Sequence, residues 1–549
     1  MKYFKYIFLI LIFTGCKKIL HEEDLQISQI KSTNEMNVAI SGVYARLAQY
    51  INNWYSTPQY LADDLPYIPY IDTTVYKYSD FSLWFTDDNW QKLYKIISSA
   101  NNIICQFNNN QSLSNEMKVC LGEVYLVRAY GYFRLVRIFG AVPVVDNVEI
   151  NYTLPRSSVK EVYAFIESDL LKAAGYLPVN RAFARVPYQS PTRGSAKAML
   201  AEVYLTMGGY PLLDNSKYLQ AAQIAKEVMD SALIFGFNIL PDYANLWDGT
   251  DMLNSESLFG LFFSTQKLTI IRHNYTYHEQ WGTYQYTGFT DNFSPEKFND
   301  FIYYSANIDP SYVPSQIIPK KVFFNNFPKS YRKDVTFQNV FSKNTFALVI
   351  DSTSFPSHYT CKIKYSEINT WDNEIFYKKF GLVKKFDTVS TAIEYGKAWH
   401  TTYGYELDAD STSKQLRFVT RNLGQPIYIY RYAHTLLTYA EAKTRSGQLD
   451  ASAYESVNMI RRRANKVDIN SPSKYDLQPG LSAQQFADSV VWERAWEFCA
   501  EPEGRWYDLL RCEMIEQLPK LRGDYHEMTK SDYFDAIPNS EKILDPNLK

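Results

Sequence analysis

Residues Ser114 to Pro143 read SNEMKVCLGEVYLVRAYGYFRLVRIFGAVP, and their spacing decides the class of fold. Gly122, Tyr125, Arg128-Ala129, Phe133 and Val136 recur at three- and four-residue steps, the period of one helix face. Gly140 follows the last periodic residues, with Pro143 just beyond. Glycine tolerates the left-handed turn that closes a helix and proline cannot continue one, so a long helix from about 114 to 138 is expected.

The same reading extends outward. Met36, Val38-Ala39-Ile40, Val43-Tyr44 and Leu47 predict a helix over 33–49. Trp90, Leu93-Tyr94, Ile97, Ala100-Asn101 and Ile104 predict another from about 90 to 107. Downstream, Ser157 or Ser158 is placed to cap a helix that reaches Tyr176 ahead of Pro178, since a serine hydroxyl accepts from the free amides of a first turn. Residues 192–207, ended by Gly208-Gly209, and 218–231 form two more. Leu200-Ala201-x-x-Tyr204 faces Ala222 and Ala225, and Tyr439-Ala440-Glu441-Ala442 precedes Gly447, Ala453, Val457 and Ile460. Small and aromatic residues at such offsets let antiparallel helices nest, as in tetratricopeptide repeats. Between Phe235 and Gln425 the helical period fades, and Gly, Pro, Asn, Asp and Ser punctuate short aromatic runs; Leu258–Phe263 and Phe346–Ile350 read as short strands. So long an irregular stretch inside a helical chain is usually functional. The expected fold is mostly α: tetratricopeptide-like helix pairs with a large irregular, loop-rich insertion carrying short strands.

Composition narrows the function. The 549 residues carry 57 Lys+Arg against 59 Asp+Glu, a net charge of -2, which excludes a general phosphate-binding surface and hence nucleic acid. The aromatic share is 16%, with 45 Tyr outnumbering 33 Phe. Tyrosine joins a flat apolar face to a hydroxyl, which suits either an aromatic core or a surface that grips polar ligands.

At the N-terminus, Lys2 and Lys5 precede the apolar run YIFLILIF, Tyr6 to Phe13. A permanent span needs about 20 apolar residues, so this run has the length of a secretory signal instead. It ends in Phe13-Thr14-Gly15-Cys16, small residues directly before a cysteine, which looks like a bacterial lipobox with Cys16 as the lipidated mature N-terminus. Two or more acyl chains hold a protein at a membrane without inserting it, each buried methylene contributing about 0.8 kcal/mol. The chain then divides into a signal peptide (1–15), a lipidated tether (16–32) and one domain (33–549). Within that domain, 33–234 and 427–515 are helical scaffold, 235–426 the insertion and 516–549 a C-terminal tail. Of the remaining cysteines, Cys105, Cys120 and Cys499 lie in apolar helical patterns and read as core; with Cys361 and Cys512 the spacings match no zinc or redox motif.

Signatures of catalysis are missing. There is no G-x-S-x-G, G-x-x-x-x-G-K-[ST] or H-E-x-x-H. Glu493 and Glu497 share a helix face and mimic a paired-carboxylate hydrolase. A retaining glycosidase, however, needs carboxylates about 5–5.5 Å apart across a sugar-sized cleft. With Arg494 and Arg505 beside them, ion pairs are the better account. The closest histidine pair, His273 and His278, has no third ligand nearby. Asp408-Ala409-Asp410 lacks the glycine and terminal Glu of an EF-hand loop, so structural calcium is unsupported and no cofactor is implied.

Recognition of a ligand is what is left. A sugar presents an apolar C–H face and a rim of hydroxyls, so it takes flat aromatic platforms, each contributing about 0.5–1.5 kcal/mol. Candidate platforms are the aromatics of turn-rich stretches: Tyr67, Tyr70, Trp84, Trp281, Tyr284 and Tyr286. Trp90, Trp492, Trp496 and Trp506 fall on helical faces and read as core.

Several blocks in order carry a family resemblance: Gly122-Glu123 through Arg128-Ala129-Tyr130 to Phe133, Phe139-Gly140-x-x-Pro143, Arg156-Ser157-Ser158-Val159, and Thr192-Arg193-Gly194-Ser195-Ala196. Arg431-Tyr432-Ala433, Asn458-x-x-Arg461-x-Arg463-Ala464, Glu493-Arg494-x-x-Glu497-Phe498 and EGRWYDLLR from Glu503 to Arg511 follow. The chain resembles the SusD/RagB family of Bacteroidota outer-membrane lipoproteins over almost all of its mature length. That resemblance implies a largely helical binding protein, facing the cell exterior, that passes captured oligosaccharides, or in some members peptides, to a SusC-like TonB-dependent transporter. Ligand contacts are not part of the shared motif and do not carry across. A peptide receptor, a surface glycan hydrolase and a scaffold that only stabilises the transporter are the alternatives.

Overall fold

The computed structural model of the chain describes residues 29–52, 62–64, 78–107, 113–149, 151, 153–247, 251, 253–262, 321–338, 340–350, 359–370, 376–377, 393–394, 405–410, 415–420, 426–499, 501–522 and 527–548. Its first helices are α1 (Thr33–Asn52), α2 (Tyr78–Phe107), α3 (Asn115–Phe139), α4 (Val159–Tyr176), α5 (Arg193–Gly208), α6 (Ser216–Asp230) and the single turn α7 (Ala232–Phe235). Their ends follow local chemistry. The Ser114 hydroxyl accepts from the amide of Met117 ahead of α3. Gly140 closes that helix at φ 69°, its amide donating to Val136. Of the two candidate serines, Ser158 caps α4 in a reciprocal box with Glu161, while Ser157 bridges to Val142.

Helix α3 is buried on all sides from Cys120 to Phe139, as a central helix must be, so the single face read from its sequence understates it. Helices α1, α2 and α4 surround it. Leu177 sits so close to Gly122 that a Cβ there would lie 2.9 Å from its Cγ. The expected pairs form: Ala201, Ala222 and Ala225 are buried between α5 and α6. The start of α2 differs from expectation. It begins at Tyr78 rather than near Trp90, running through SDFSLWFTDD, where polar residues interrupt the apolar period.

The insertion enters along β1 (Ser257–Leu261), which pairs antiparallel with the strand that leaves it, β9 (Ile427–Arg431). Gly260 lies so near this partner that a Cβ would meet the Ile427 carbonyl at 2.7 Å. Within it lie α8 (Lys321–Asn326), α9 (Tyr331–Thr336) and the strands β2 (Phe337–Gln338), β3 (Val340–Ile350), β4 (Tyr359–Thr370), β5 (Phe376–Tyr377), β6 (Ile393–Glu394), β7 (Tyr405–Asp410) and β8 (Gln415–Thr420). Strands β3 and β4 pair antiparallel from Val340↔Thr370 to Ile350↔Tyr359 and are longer than the short strands expected. The rest of the scaffold comprises α10 (Tyr432–Arg445), α11 (Ala451–Ala464), α12 (Ala483–Glu497) and α13 (Arg505–Arg511), and the C-terminal tail carries α14 (Leu518–Arg522) and α15 (Asn539–Leu544). Between α10 and α11, Ala440, Ala453, Val457 and Ile460 are fully buried, and the Tyr439 and Ser452 hydroxyls meet at 2.7 Å. Among the described residues no helix is long and apolar enough to cross a membrane.

Candidate functional site

The β1–β9 ladder holds the two ends of the insertion together over the scaffold, and the residues beneath it are charged. Arg431, the last residue of β9, is fully buried. Its guanidinium donates to Glu256 at 2.6 Å, to Glu497 at 2.9 Å and, as a fork, to both oxygens of Glu501 at 2.9 and 3.0 Å. Arg463 of α11 reaches Glu497 at 2.6 Å and also pairs with Glu256. Arg332 of α9 reaches Glu493 at 2.7 Å and Glu497 at 2.8 Å. One carboxylate, Glu497, thus accepts from three arginines that arrive from the insertion, its exit strand and the scaffold. Burial alone would push its carboxyl up, but Arg463, Arg431 and Arg332 more than reverse this and hold it at about 2. A second group continues the pattern: Arg494 binds Glu202 at 2.7 Å and Asp508 at 3.0 Å, and Arg511 binds Glu441 and Asp508.

This geometry answers the paired-carboxylate reading. Glu493 and Glu497 are 1% and 0% exposed, and their oxygens accept from Arg332, Arg461, Arg431 and Arg463. They are structural ion pairs, as the sequence suggests, but not with the flanking arginines: Arg494 pairs with Glu202 and Asp508, and Arg505 with Asp63.

Above the charges lies an aromatic layer. Tyr243, Trp247, Phe323, Phe327, Phe337 and Tyr428 form one buried cluster, against which Phe324, Tyr331, Trp492 and Trp496 pack only partly covered. Trp492 and Trp496 are one helical turn apart on α12, their rings tilted 31° at 6.0 Å. The Arg505 guanidinium covers Trp492 at 4.3 Å and donates to Asp63 at 3.0 Å, which brings residues 62–64 to this edge. The Tyr331 hydroxyl donates to Asp242 at 2.6 Å, with Lys466 4.4 Å from its ring. Burial, then Asp242, pushes the Tyr331 hydroxyl up. Flat rings edged by fixed polar groups suit binding of a polyhydroxylated ligand.

Placement of the sequence candidates is uneven. Cys16, Tyr67, Tyr70, Trp281, Tyr284 and Tyr286 lie outside the described residues, as do His273 and His278. Trp84 lies within α2 and not in a turn-rich stretch, because the helix starts earlier than its interrupted apolar pattern indicates. Trp90 and Trp506 are core, at 4% and 0% exposure, whereas Trp492 and Trp496 are only half-buried, since α12 turns that face to the aromatic layer. Cys120 and Cys499 are buried as expected, but Cys105 is only partly covered, its thiol directed at the Asp146 carbonyl at the helix margin. Asp408 and Asp410 lie on β7, paired in register with Arg417 and Gln415 of β8, so they belong to a strand and not to a calcium loop. Among the described residues no group of three or more His, Cys, Asp or Glu is placed to hold a metal. His434 is buried, its Nδ1 accepting from the Arg431 amide; burial, then Arg431 and Arg494, keep it far below the usual imidazole range. Many described tyrosines are interior: Tyr50, Tyr130, Tyr163, Tyr243 and Tyr430 are almost fully buried, and Tyr130 donates to buried Glu503 at 2.9 Å.

Sequence reasoning found Glu493, Glu497 and Arg494 but missed Arg332, which pairs with both glutamates, and Glu256, which pairs with Arg431 and Arg463. A lone charge in an irregular stretch carries no local signal: Glu256 stands between Ser255 and Ser257, and Arg332 beside Lys333 and Asp334.

Comparison with known proteins gives a consistent result. The profile of a family described as "Starch-binding associating with outer membrane" matches residues 20–205, and that of the SusD family matches residues 384–544. A SusD-like protein, P2, of Formosa agariphila is 26% identical over 585 aligned residues, covering 100% of this chain and 99% of that protein. Among solved structures, a SusD homolog from Bacteroides thetaiotaomicron superposes with a TM-score of 0.68 at 20% identity, covering 95% of this chain and 97% of the other. A laminarin-binding SusD-like protein gives 0.63 at 20% identity over 93% and 97%. A structure determined with xylogluco-oligosaccharide gives 0.61 at 18% over 94% and 98%.

Proposed function

The chain belongs to the SusD/RagB family, which is associated with the outer membrane, and from that premise we propose that it is a non-catalytic binding lipoprotein for an oligosaccharide or polysaccharide. It is anchored through acylated Cys16, with 1–15 removed and 16–32 as tether, and faces the cell exterior. It delivers its ligand to a SusC-like TonB-dependent transporter. The ligand face lies where the insertion, 235–426, meets the scaffold, with Tyr67, Tyr70, Trp84, Trp281, Tyr284 and Tyr286 as its aromatic platforms.

The observation that carries this reading is the likeness of fold, over nearly the whole chain, to a protein that binds laminarin. The edge of half-buried rings around Trp492, Trp496 and Tyr331 supports it, as does the complete engagement of Glu493 and Glu497 by arginines. Calorimetric titration against a panel of soluble polysaccharides tests it, with product analysis of the same mixtures. Saturable binding without products is expected. Binding of peptides and of no glycan would point to a peptide receptor, and accumulating products to a hydrolase. Removing two platforms together, Trp281→Ala with Tyr284→Ala, should weaken the glycan by about 1–3 kcal/mol, roughly 5–150-fold. Unchanged affinity in that variant would exclude these two rings. Mass spectrometry of the N-terminal peptide tests the anchor, since Cys16→Ala must abolish acylation.

A further inference from the structure

The end of α3 and the last residues of the described chain enclose a cleft of about 320 Å³ that has no part in the aromatic face. Gly140 turns the chain out of α3, and the Asp535 amide donates to the Ile138 carbonyl at 2.7 Å, strapping the C-terminal segment across the helix end. The Phe534 ring lies 3.6 Å from where a Cβ on Gly140 would stand. The Val142–Ser157 bridge carries Arg156 to one side of the mouth, where its Nε donates to the Ala141 carbonyl at 2.8 Å and its Nη2 to that of Phe139 at 3.4 Å. Lys542 of α15 stands in the lining as well.

The lining is otherwise apolar: Phe139, Val159, Pro211, Phe534, Ile537 and Leu548 provide the floor and walls, and no hydroxyl or amide side chain contributes. Its charges do not balance. Among the described residues neither Arg156 nor Lys542 is joined to a carboxylate, and the lining's single acid, Asp535, is 7% exposed. Next to the cleft, Ile543 and Leu544 are 80% and 57% exposed. A concavity of ligand size with an apolar interior and two cations joined to no carboxylate among the described residues, one oriented by backbone carbonyls, is complementary to an apolar body ending in an anion. A sugar is a poor occupant, because its hydroxyls would lose water and find no partners on this floor.

We propose that this cleft binds an amphiphilic anion, an alkyl chain terminated by a carboxylate or phosphate, with the chain against Phe139, Ile537 and Leu548 and the headgroup between Arg156 and Lys542. The proposal is independent of the glycan reading. The test is calorimetric titration of octanoate, octyl phosphate and 1-octanol into the full chain. At least one anion should bind saturably at one site, at least fivefold more tightly than 1-octanol; whichever anion wins identifies the headgroup. Arg156→Gln with Lys542→Gln should weaken it at least fivefold, and Val159→Trp, which fills the cleft, should abolish binding, both with unchanged thermal melting. No saturation by either anion, equal binding of 1-octanol, or full affinity in the double glutamine variant would overturn the proposal.

Discussion

Two places in this molecule hold arginine side chains in opposite ways. At the junction under the insertion, Arg332, Arg431 and Arg463 are buried and each meets carboxylates. At the C-terminal cleft, Arg156 is exposed and, among the described residues, donates to carbonyls and meets no carboxylate. The contrast follows from solvation. A guanidinium withdrawn from water requires a partner, whereas one at the surface keeps its hydration and stays available for a ligand. Charge at the junction therefore serves architecture, and charge at the cleft is free to serve binding.

The sharpest way to break this contrast is to remove the shared carboxylate. Glu497→Ala should cost about 3–5 kcal/mol in denaturant unfolding, because it takes a shared carboxylate from three buried arginines and leaves them only Glu256, Glu493 and Glu501; a loss below 1 kcal/mol would mean that water reaches the junction. Acid gives the next largest effect. The folded Glu497 carboxyl is held at about 2, below its unfolded value near 4.3, and Glu441 is held lower still, where Arg511 and Arg445 overcome the opposing effect of burial. As pH falls the unfolded chain takes up protons first, so stability present above about pH 4.5 should drain away towards pH 2. Denaturant midpoints across that window check the slope, and Glu497→Gln should flatten it.

A smaller change probes the edge of the cleft without touching its charges. Ser158→Ala removes the cap of α4 and should cost about 1 kcal/mol, read as a shift in the denaturant midpoint. The smallest effect is expected at the cleft itself. Arg156→Gln should change stability by no more than about 0.5 kcal/mol, as surface substitutions generally do. A loss as large as that from Glu497→Ala would make Arg156 a structural residue and erase the distinction.

Much of the scaffold was legible in the order of residues. The helices α1, α3, α4, α5 and α6 appear where the period and caps place them, because helix signals are local: Ser114, Ser158 and Thr192 each bond within three residues, and Gly140 acts on the turn it closes. The reading failed where locality fails. The first twelve residues of α2 lack a clean apolar period, so its start and the setting of Trp84 were misplaced. Trp492 and Trp496 looked like core on a helical wheel, yet the face they occupy meets the margin of an aromatic layer assembled from residues as distant as Tyr243 and Phe337.

The amino-acid order alone thus established a helical scaffold, its interruptions and the family it belongs to. It also favoured ion pairs over a paired-carboxylate active site at Glu493 and Glu497, because Arg494 and Arg505 stand beside them in the sequence. Which arginine meets which carboxylate lay beyond it: Arg494 and Glu202 stand 292 positions apart, Arg431 and Glu256 175. Charge partners at such separations share no periodicity or spacing. They are chosen when helices pack and exclude water, and the same packing left Arg156 and Lys542 beside an apolar cleft, joined to no carboxylate among the described residues.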